Sequence, residues 1–199
     1  MKDSPYALKV KKIAGYLRVV MGGLFWITLL GMGLLIVAAI VVPFLSDDIF
    51  IVKEANNKGF TLSMDSLIRY RMDASHVGVS VKSIYRSIAW IAAFTSGGFI
   101  IILKQLISLL ETVETDKPFA KENEKRLTII GVILILGSII LRITGAMAAK
   151  TIITTLNITN LDININIDLF MAFTGFMMLI LAGIFKYGNY LQEEYDSTL

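Results

Sequence analysis

Residues 21–42 read MGGLFWITLLGMGLLIVAAIVV, a stretch without one charged side chain. A hydrocarbon core of ~30 Å is crossed by about 20 helical residues rising about 1.5 Å each, so this run alone is long enough to span a bilayer. Pro43 closes it, with Asp47 and Asp48 beyond, and Lys9, Lys11, Lys12 and Arg18 stand before it. A basic leader ahead of an apolar run also describes a secretory signal peptide. Such h-regions are only about 7–15 residues long, and Pro43 followed by Phe44 makes a poor cleavage site. The expectation is an uncleaved membrane anchor.

The rest of the chain repeats the pattern. Of 199 residues, 55% are apolar and 18% charged, and the mean hydropathy is +0.70. That is more apolar than the roughly 45–50% of a soluble domain, and the excess is gathered into runs rather than scattered. Leu169 to Phe185 is charge-free between Asp168 and Lys186. Ile88 to Leu103 is short, and reaches spanning length with Ile84 and Tyr85 on one side and a snorkelling Lys104 on the other. Leu127 to Leu141 is apolar, meets Arg142, and continues to Ala149 with that arginine at an interface. The expected fold is therefore mainly α and integral to the membrane. Four transmembrane helices, at about 21–42, 84–104, 127–148 and 169–186, form a bundle within a single membrane domain covering 1–199.

Basic residues suggest the orientation. With the N-terminus inside, 11 of the 19 Lys and Arg fall in the inner segments, the densest group lying just before the first span. By the positive-inside rule both termini are cytoplasmic, with outer loops at 46–83 and 150–168, a cytoplasmic hairpin at 105–126 and a tail at 187–199. The formal charge of +3 is explained by this flanking of spans rather than by a nucleic-acid stripe, so no direct nucleic-acid binding is expected.

Both outer loops show strand character. Asp48-Ile-Phe-Ile-Val-Lys53, a turn at Asn56-Asn-Lys-Gly59, and Phe60-Thr-Leu-Ser-Met64 suggest a hairpin. Leu161-Asp-Ile-Asn-Ile-Asn-Ile-Asp168 alternates apolar and polar with period two, and such a strand needs a partner for its edges and apolar face. The expectation is a small extracytoplasmic β-sheet formed by the two outer loops. It ties helix pairs together in one reading and offers a platform for an external ligand in the other.

Chemistry is scarce. There is no cysteine and one histidine, His76, which removes disulfides, thiolate sites and His-rich metal centres. No Asp or Glu lies in the core of a run, where ion-coupled transport usually needs one, and no serine or threonine has a buried His, Asp or Glu to activate it. An enzyme is not expected, nor a cofactor. Small residues at four-residue spacing, Ala89, Ala93 and Gly97 in the second run and Gly145 and Ala149 in the third, read as helix-packing positions.

The cytoplasmic segments carry the remaining signal. The helix after Lys104 is expected to run on to Val113 and break at Asp116-Lys-Pro-Phe119, because Pro118 disfavours a helical Lys117; a helix then resumes from Ala120 into the third span. Lys117-Pro-Phe119 with Glu122-Asn123, Arg126-Leu127 and Ile130-Gly131 is one motif. Ile184-Phe185, Gly188, Leu191-Gln-Glu-Glu194 and Asp196-Ser-Thr-Leu199 form a second. With the four-span layout, this pair resembles the signatures of a bacterial four-helix membrane family of unknown function, the domain of unknown function numbered 2975. Ala120 departs from the Thr or Ser usual there, which puts an N-cap at that position in doubt.

The resemblance implies a bacterial cytoplasmic membrane protein with no established activity, and a small helix-turn-helix regulator of the phage-repressor type as a cytoplasmic partner. In a bacterial chain the sequon Asn157-Ile-Thr159 reads as chance. Pro118, Phe119, Asn123, Arg126, Gly188, Gln192, Glu193 and Glu194 are the candidate cytoplasmic interaction motif. Its polar members either brace the hairpin against the tail or dock a soluble protein. Beyond the lipid bilayer, the functional expectation is a non-enzymatic regulatory or sensory interaction protein. The alternative is a small transport or efflux component, or a self-protection protein of the immunity type.

Overall fold

A computed structural model describes residues 5–52, 61–64, 68–71, 78–158, 163 and 167–197. Four long helices dominate: α1 Pro5–Val41, α2 Lys82–Glu114, α3 Lys121–Thr155 and α4 Leu169–Ser197. Each contains one of the expected spans, and all four are long and apolar enough to cross a membrane. The runs are rich in Ile and Val, which have only modest helix propensity, but in hydrocarbon every backbone N–H and C=O must be satisfied internally, and a helix does that. Pro43 ends α1, lying in a 3₁₀ turn over Val42–Phe44. Almost none of the apolar window of α1 is buried by the rest of the chain. Trp26, Ile27, Leu30 and Leu34 are each more than 60% exposed, a surface that water would penalise and acyl chains match.

Among the described residues, the expected sheet between the outer loops is not present. Strand pairing among the described residues is confined to the first loop, where β1 Thr61–Met64 pairs antiparallel with β2 Ile68–Arg71, Thr61 opposite Arg71 and Met64 opposite Ile68. Asp48 and Ile49, expected to lead a strand, lie in a 3₁₀ turn over Asp47–Ile49, and Ile51 forms only an isolated bridge with Ser80. Ile163, Ile167 and Asp168 belong to no strand; the remainder of the alternating segment, the turn at 56–59 and Thr159 of the sequon lie outside the described residues.

The physical reason is local competition. Val52 N–H donates to Val79 O, Gly78 N–H to Val52 O and Val81 N–H to Phe50 O, so the first loop satisfies itself close to the start of α2. Val52, Val79, Val81 and Ile158 then cover Ile84, Ile152 and Leu156. Pairing within one loop closes a short circuit of chain. A sheet joining both loops would have to close one of about a hundred residues, and closure entropy grows with length.

The chain divides into two compact units. One comprises the segment up to Leu30, Ser96–Ile139 and the segment from Asp168; the other comprises Gly31–Thr95 and Ile140–Ile167. In the first, α3 and α4 touch backbone to backbone. A Cβ on Gly131 would lie 2.9 Å from the Gly175 carbonyl oxygen, and one on Gly175 would lie 2.8 Å from that of Gly131. Only two glycines permit that approach, and close packing of this kind is what joins helices in lipid. Asp168 caps α4, its Oδ1 accepting from Met171 N–H at 2.9 Å.

In the second unit, Ser83 Oγ and Thr155 Oγ1 share a hydrogen bond of 2.8 Å, and Ser87 Oγ donates to Thr151 Oγ1 at 3.4 Å. This antiparallel register brings Ala89 level with Ala149, and both are buried. Ala93 is buried as well. Gly97 and Gly145 are only half-buried, and nothing stands within 4 Å of a Cβ added to Gly97. The packing positions drawn from residue spacing therefore divide by burial, Ala89, Ala93 and Ala149 being buried and Gly145, with Gly97 of the first unit, only half-buried.

Candidate functional site

The first unit gathers most of the candidate interaction motif around the turn between α2 and α3. Lys117 N–H donates to Thr112 O at 2.8 Å and Asp116 N–H to Val113 O at 3.4 Å, the paired bonds of a Schellman ending for α2. The residue that such an ending puts in the left-handed region is Asp116, at φ 62°, a conformation a short polar side chain tolerates better than most. Pro118 follows and prevents the helix from resuming. α3 starts at Lys121, with Glu122 and Glu124 in its first turn, where the helix dipole favours negative charge.

Asn123 is the keystone of the turn. It is fully buried, yet every polar atom of its side chain is used. Its Nδ2 donates to Thr112 Oγ1 at 2.7 Å and to Pro118 O at 2.9 Å. Arg126 Nη1 donates to Asn123 Oδ1 and also to Ser108 O, both at 2.8 Å. The amide orientation follows from the network itself. Thr112 Oγ1 gives its own proton to Leu109 O at 2.7 Å, so it can only accept from Asn123. One side chain thus fastens the last turns of α2, the loop carbonyl and the first turns of α3.

Two other helices reach the same turn. Lys11 pairs with Asp116, and Arg18 Nη1 lies 2.8 Å from Glu114 Oε2, so the basic leader of α1 answers the acidic end of α2. Gly15 makes room for this, since a Cβ there would lie 2.6 Å from Glu114 Oε1. From α4, the Phe185 ring meets the Phe119 ring with centroids 5.4 Å apart. Phe119 lies directly over Gly188, where a Cβ would fall 2.7 Å from its Cδ1, and Lys186 Nζ is 3.4 Å from Glu124 Oε1. The two motifs therefore meet through Phe119, Phe185 and Gly188.

Among the described residues, the polar members of the hairpin do not brace those of the tail as the sequence suggested. Asn123 and Arg126 turn to α2. Glu193 Oε1 accepts from Asn189 Nδ2 at 3.0 Å within α4, while Gln192 and Glu194 are exposed, and their side chains make no hydrogen bond or ion pair among the described residues. Sequence reasoning missed Ser108, Thr112, Glu114 and Asp116 as partners, as well as the Gly131–Gly175 contact. The legible signal was opposite charge, Lys11 and Arg18 against Glu114 and Asp116, at helix ends assigned to the same side. Among the described residues no three His, Asp or Glu side chains come together as a metal would require, and His76 lies outside those residues.

No curated protein and no solved structure matches the chain. A family model does, over residues 66–199, a stretch that holds α2, α3, α4 and both motifs. That match covers about two thirds of the sequence, and the chain belongs to the family described as protein of unknown function DUF2975.

Proposed function

We propose that the protein is a non-enzymatic multi-pass membrane protein that acts in regulation or sensing by holding a soluble cytoplasmic partner at the end of α4. The reading is supported by one contrast. At the α2–α3 turn the motif's polar side chains, Asn123 and Arg126, are spent on internal contacts, whereas past Gly188 the helix carries exposed Tyr190, Leu191, Gln192 and Glu194. Glu193, Glu194 and Asp196 make this end acidic. An acidic helix with aromatic anchors suits a basic partner surface, and the helix-turn-helix regulator that the family resemblance implies would carry such a surface for its phosphate contacts.

The test uses full-length protein in detergent and a purified regulator of that class from the same cell. Retention by the wild type and loss in the Glu193→Lys, Glu194→Lys variant is the expected result; equal retention by both refutes docking at the tail. Topology is checked by single cysteines at Ser46 and Glu193, both exposed, in a chain with no native thiol. A membrane-impermeant maleimide should label Ser46→Cys in intact cells and Glu193→Cys only after permeabilisation, and the reverse pattern refutes a cytoplasmic tail.

A further inference from the structure

The second unit contains a cavity of about 320 Å³ lined by Pro43, Ser80, Lys82, Ser83 and Arg86. We propose that it is a binding site for a phosphate group at the membrane–water boundary, with Arg86 as its principal cation. The site lies where spans end: Pro43 closes the charge-free run of α1, and Lys82 opens α2. Around it Phe44, Tyr85 and Trp90 are at least half exposed, the aromatic residues that collect at headgroup level.

The charges leave room for one anion. Lys82 Nζ is already engaged, 3.0 Å from Asp47 Oδ1 and 2.7 Å from Leu45 O. Arg86 is exposed and has no hydrogen bond or ion pair among the described residues. With Asp47 offsetting Lys82, the rim carries one uncompensated positive charge, and it belongs to the side chain best shaped for a phosphate, a planar fork of N–H donors. Ser80 and Ser83 add hydroxyls, that of Ser83 sharing its hydrogen bond with Thr155 Oγ1.

A phosphate can arrive here as a lipid headgroup or as the free ion. Trp90 stands four residues after Arg86, on the same face of α2, and reports on acyl chains below a headgroup held at Arg86. The chain has two tryptophans, so the Trp26→Phe variant leaves Trp90 as the only one. That variant is placed in phosphatidylcholine nanodiscs with a trace of chain-brominated phosphatidylglycerol, or the same trace of brominated phosphatidylcholine, whose choline cation is repelled by the rim. A second arm titrates inorganic phosphate into unbrominated discs and follows Trp90 emission.

Expected is quenching by the glycerol lipid that corresponds to about fivefold local enrichment, the usual contribution of one basic side chain near an anionic surface. It should vanish in Arg86→Gln, a substitution that removes no hydrogen bond or ion pair among the described residues. An emission change with inorganic phosphate that is lost in Arg86→Gln, without excess quenching, supports the same site with the free ion as its source. If neither signal appears, or either persists in Arg86→Gln, the site is overturned.

Discussion

Removing the amide of Asn123 should loosen the α2–α3 turn far more than removing the hydroxyl of Thr112. Asn123→Ala deletes two neutral hydrogen bonds, to Thr112 Oγ1 and Pro118 O, and one from the charged Arg126. Neutral bonds contribute about 1 kcal/mol each and a bond to a charged group about 1.5–3 kcal/mol, so the loss is about 3–5 kcal/mol. That is a large part of the ~5–15 kcal/mol that holds a typical protein folded. Thr112→Val keeps the shape and removes one bond, and should cost about 1 kcal/mol.

Hydrogen exchange read by mass spectrometry on the segment 115–125 is the direct assay, because the amides of Lys117, Ala120 and Asn123 are all bonded within the turn. Exchange there should accelerate by about 10²–10³ in Asn123→Ala and by about tenfold or less in Thr112→Val. Asn123→Asp should lie between them: it keeps an acceptor for Arg126 but turns a carboxylate towards Pro118 O. A rate for Asn123→Ala no faster than that for Thr112→Val would show that Asn123 merely fills space, and the account of the turn would fail.

The glycines separate by what stands near them. Gly131→Val and Gly175→Val drive a side chain into a backbone carbonyl that cannot rotate away and should cost about 1–3 kcal/mol or more in detergent-titrated unfolding, while Gly22→Ala in α1, with nothing within 4 Å, should be neutral or stabilise by up to about 1 kcal/mol. Gly188→Ala should weaken the hold on Phe119, and Phe119→Leu in the same chain should recover part of the loss, a coupling absent if the ring does not sit on α4. A double-mutant cycle on Arg18 and Glu114 should give no more than about 1 kcal/mol, falling as salt rises; a larger, salt-independent value would mean that the pair is shielded from solvent.

What could be read from the sequence divides along a physical line. The four helices were legible because a run such as 21–42 leaves the backbone in hydrocarbon one economical way to satisfy its hydrogen bonds. The α2–α3 turn was legible from Asp116 and Pro118, whose local conformational preferences do not depend on tertiary context. The outer sheet was not legible because alternation in Leu161 to Asp168 states that one face wants cover without saying from where, while the apolar residues Val52, Val79 and Val81 of the first loop pack on Ile84, Ile152 and Leu156.

The motif residues were found but their partners were misassigned. Asn123 and Arg126 share a membrane side with the tail, but Thr112 and Ser108, a few turns back along the same hairpin, reach them at far lower entropic cost. Thr112 carries no signature of its own in a helix whose other threonine, Thr95, donates to its own backbone at Ala92 O. The Gly131–Gly175 contact escaped for a similar reason. Neither glycine belongs to a four-residue repeat of small residues, and their meeting is a property of two helices rather than of either.

Lys11 and Asp116 are separated by 105 positions, and that interval is also an interval of time. When the basic leader of α1 leaves the ribosome, Glu114 and Asp116 have not been made, so Lys11 and Arg18 stand uncompensated while the first span chooses its direction, the condition in which a basic flank biases insertion. Once the hairpin is complete, two of those charges are neutralised by its tip and become fastenings. On the proposed orientation, the same side chains serve first as an address read during synthesis and afterwards as a latch. Substitutions that remove them should therefore produce two separable defects in cells: inverted molecules, fixed at birth, and correctly inserted molecules whose leader helix has come loose.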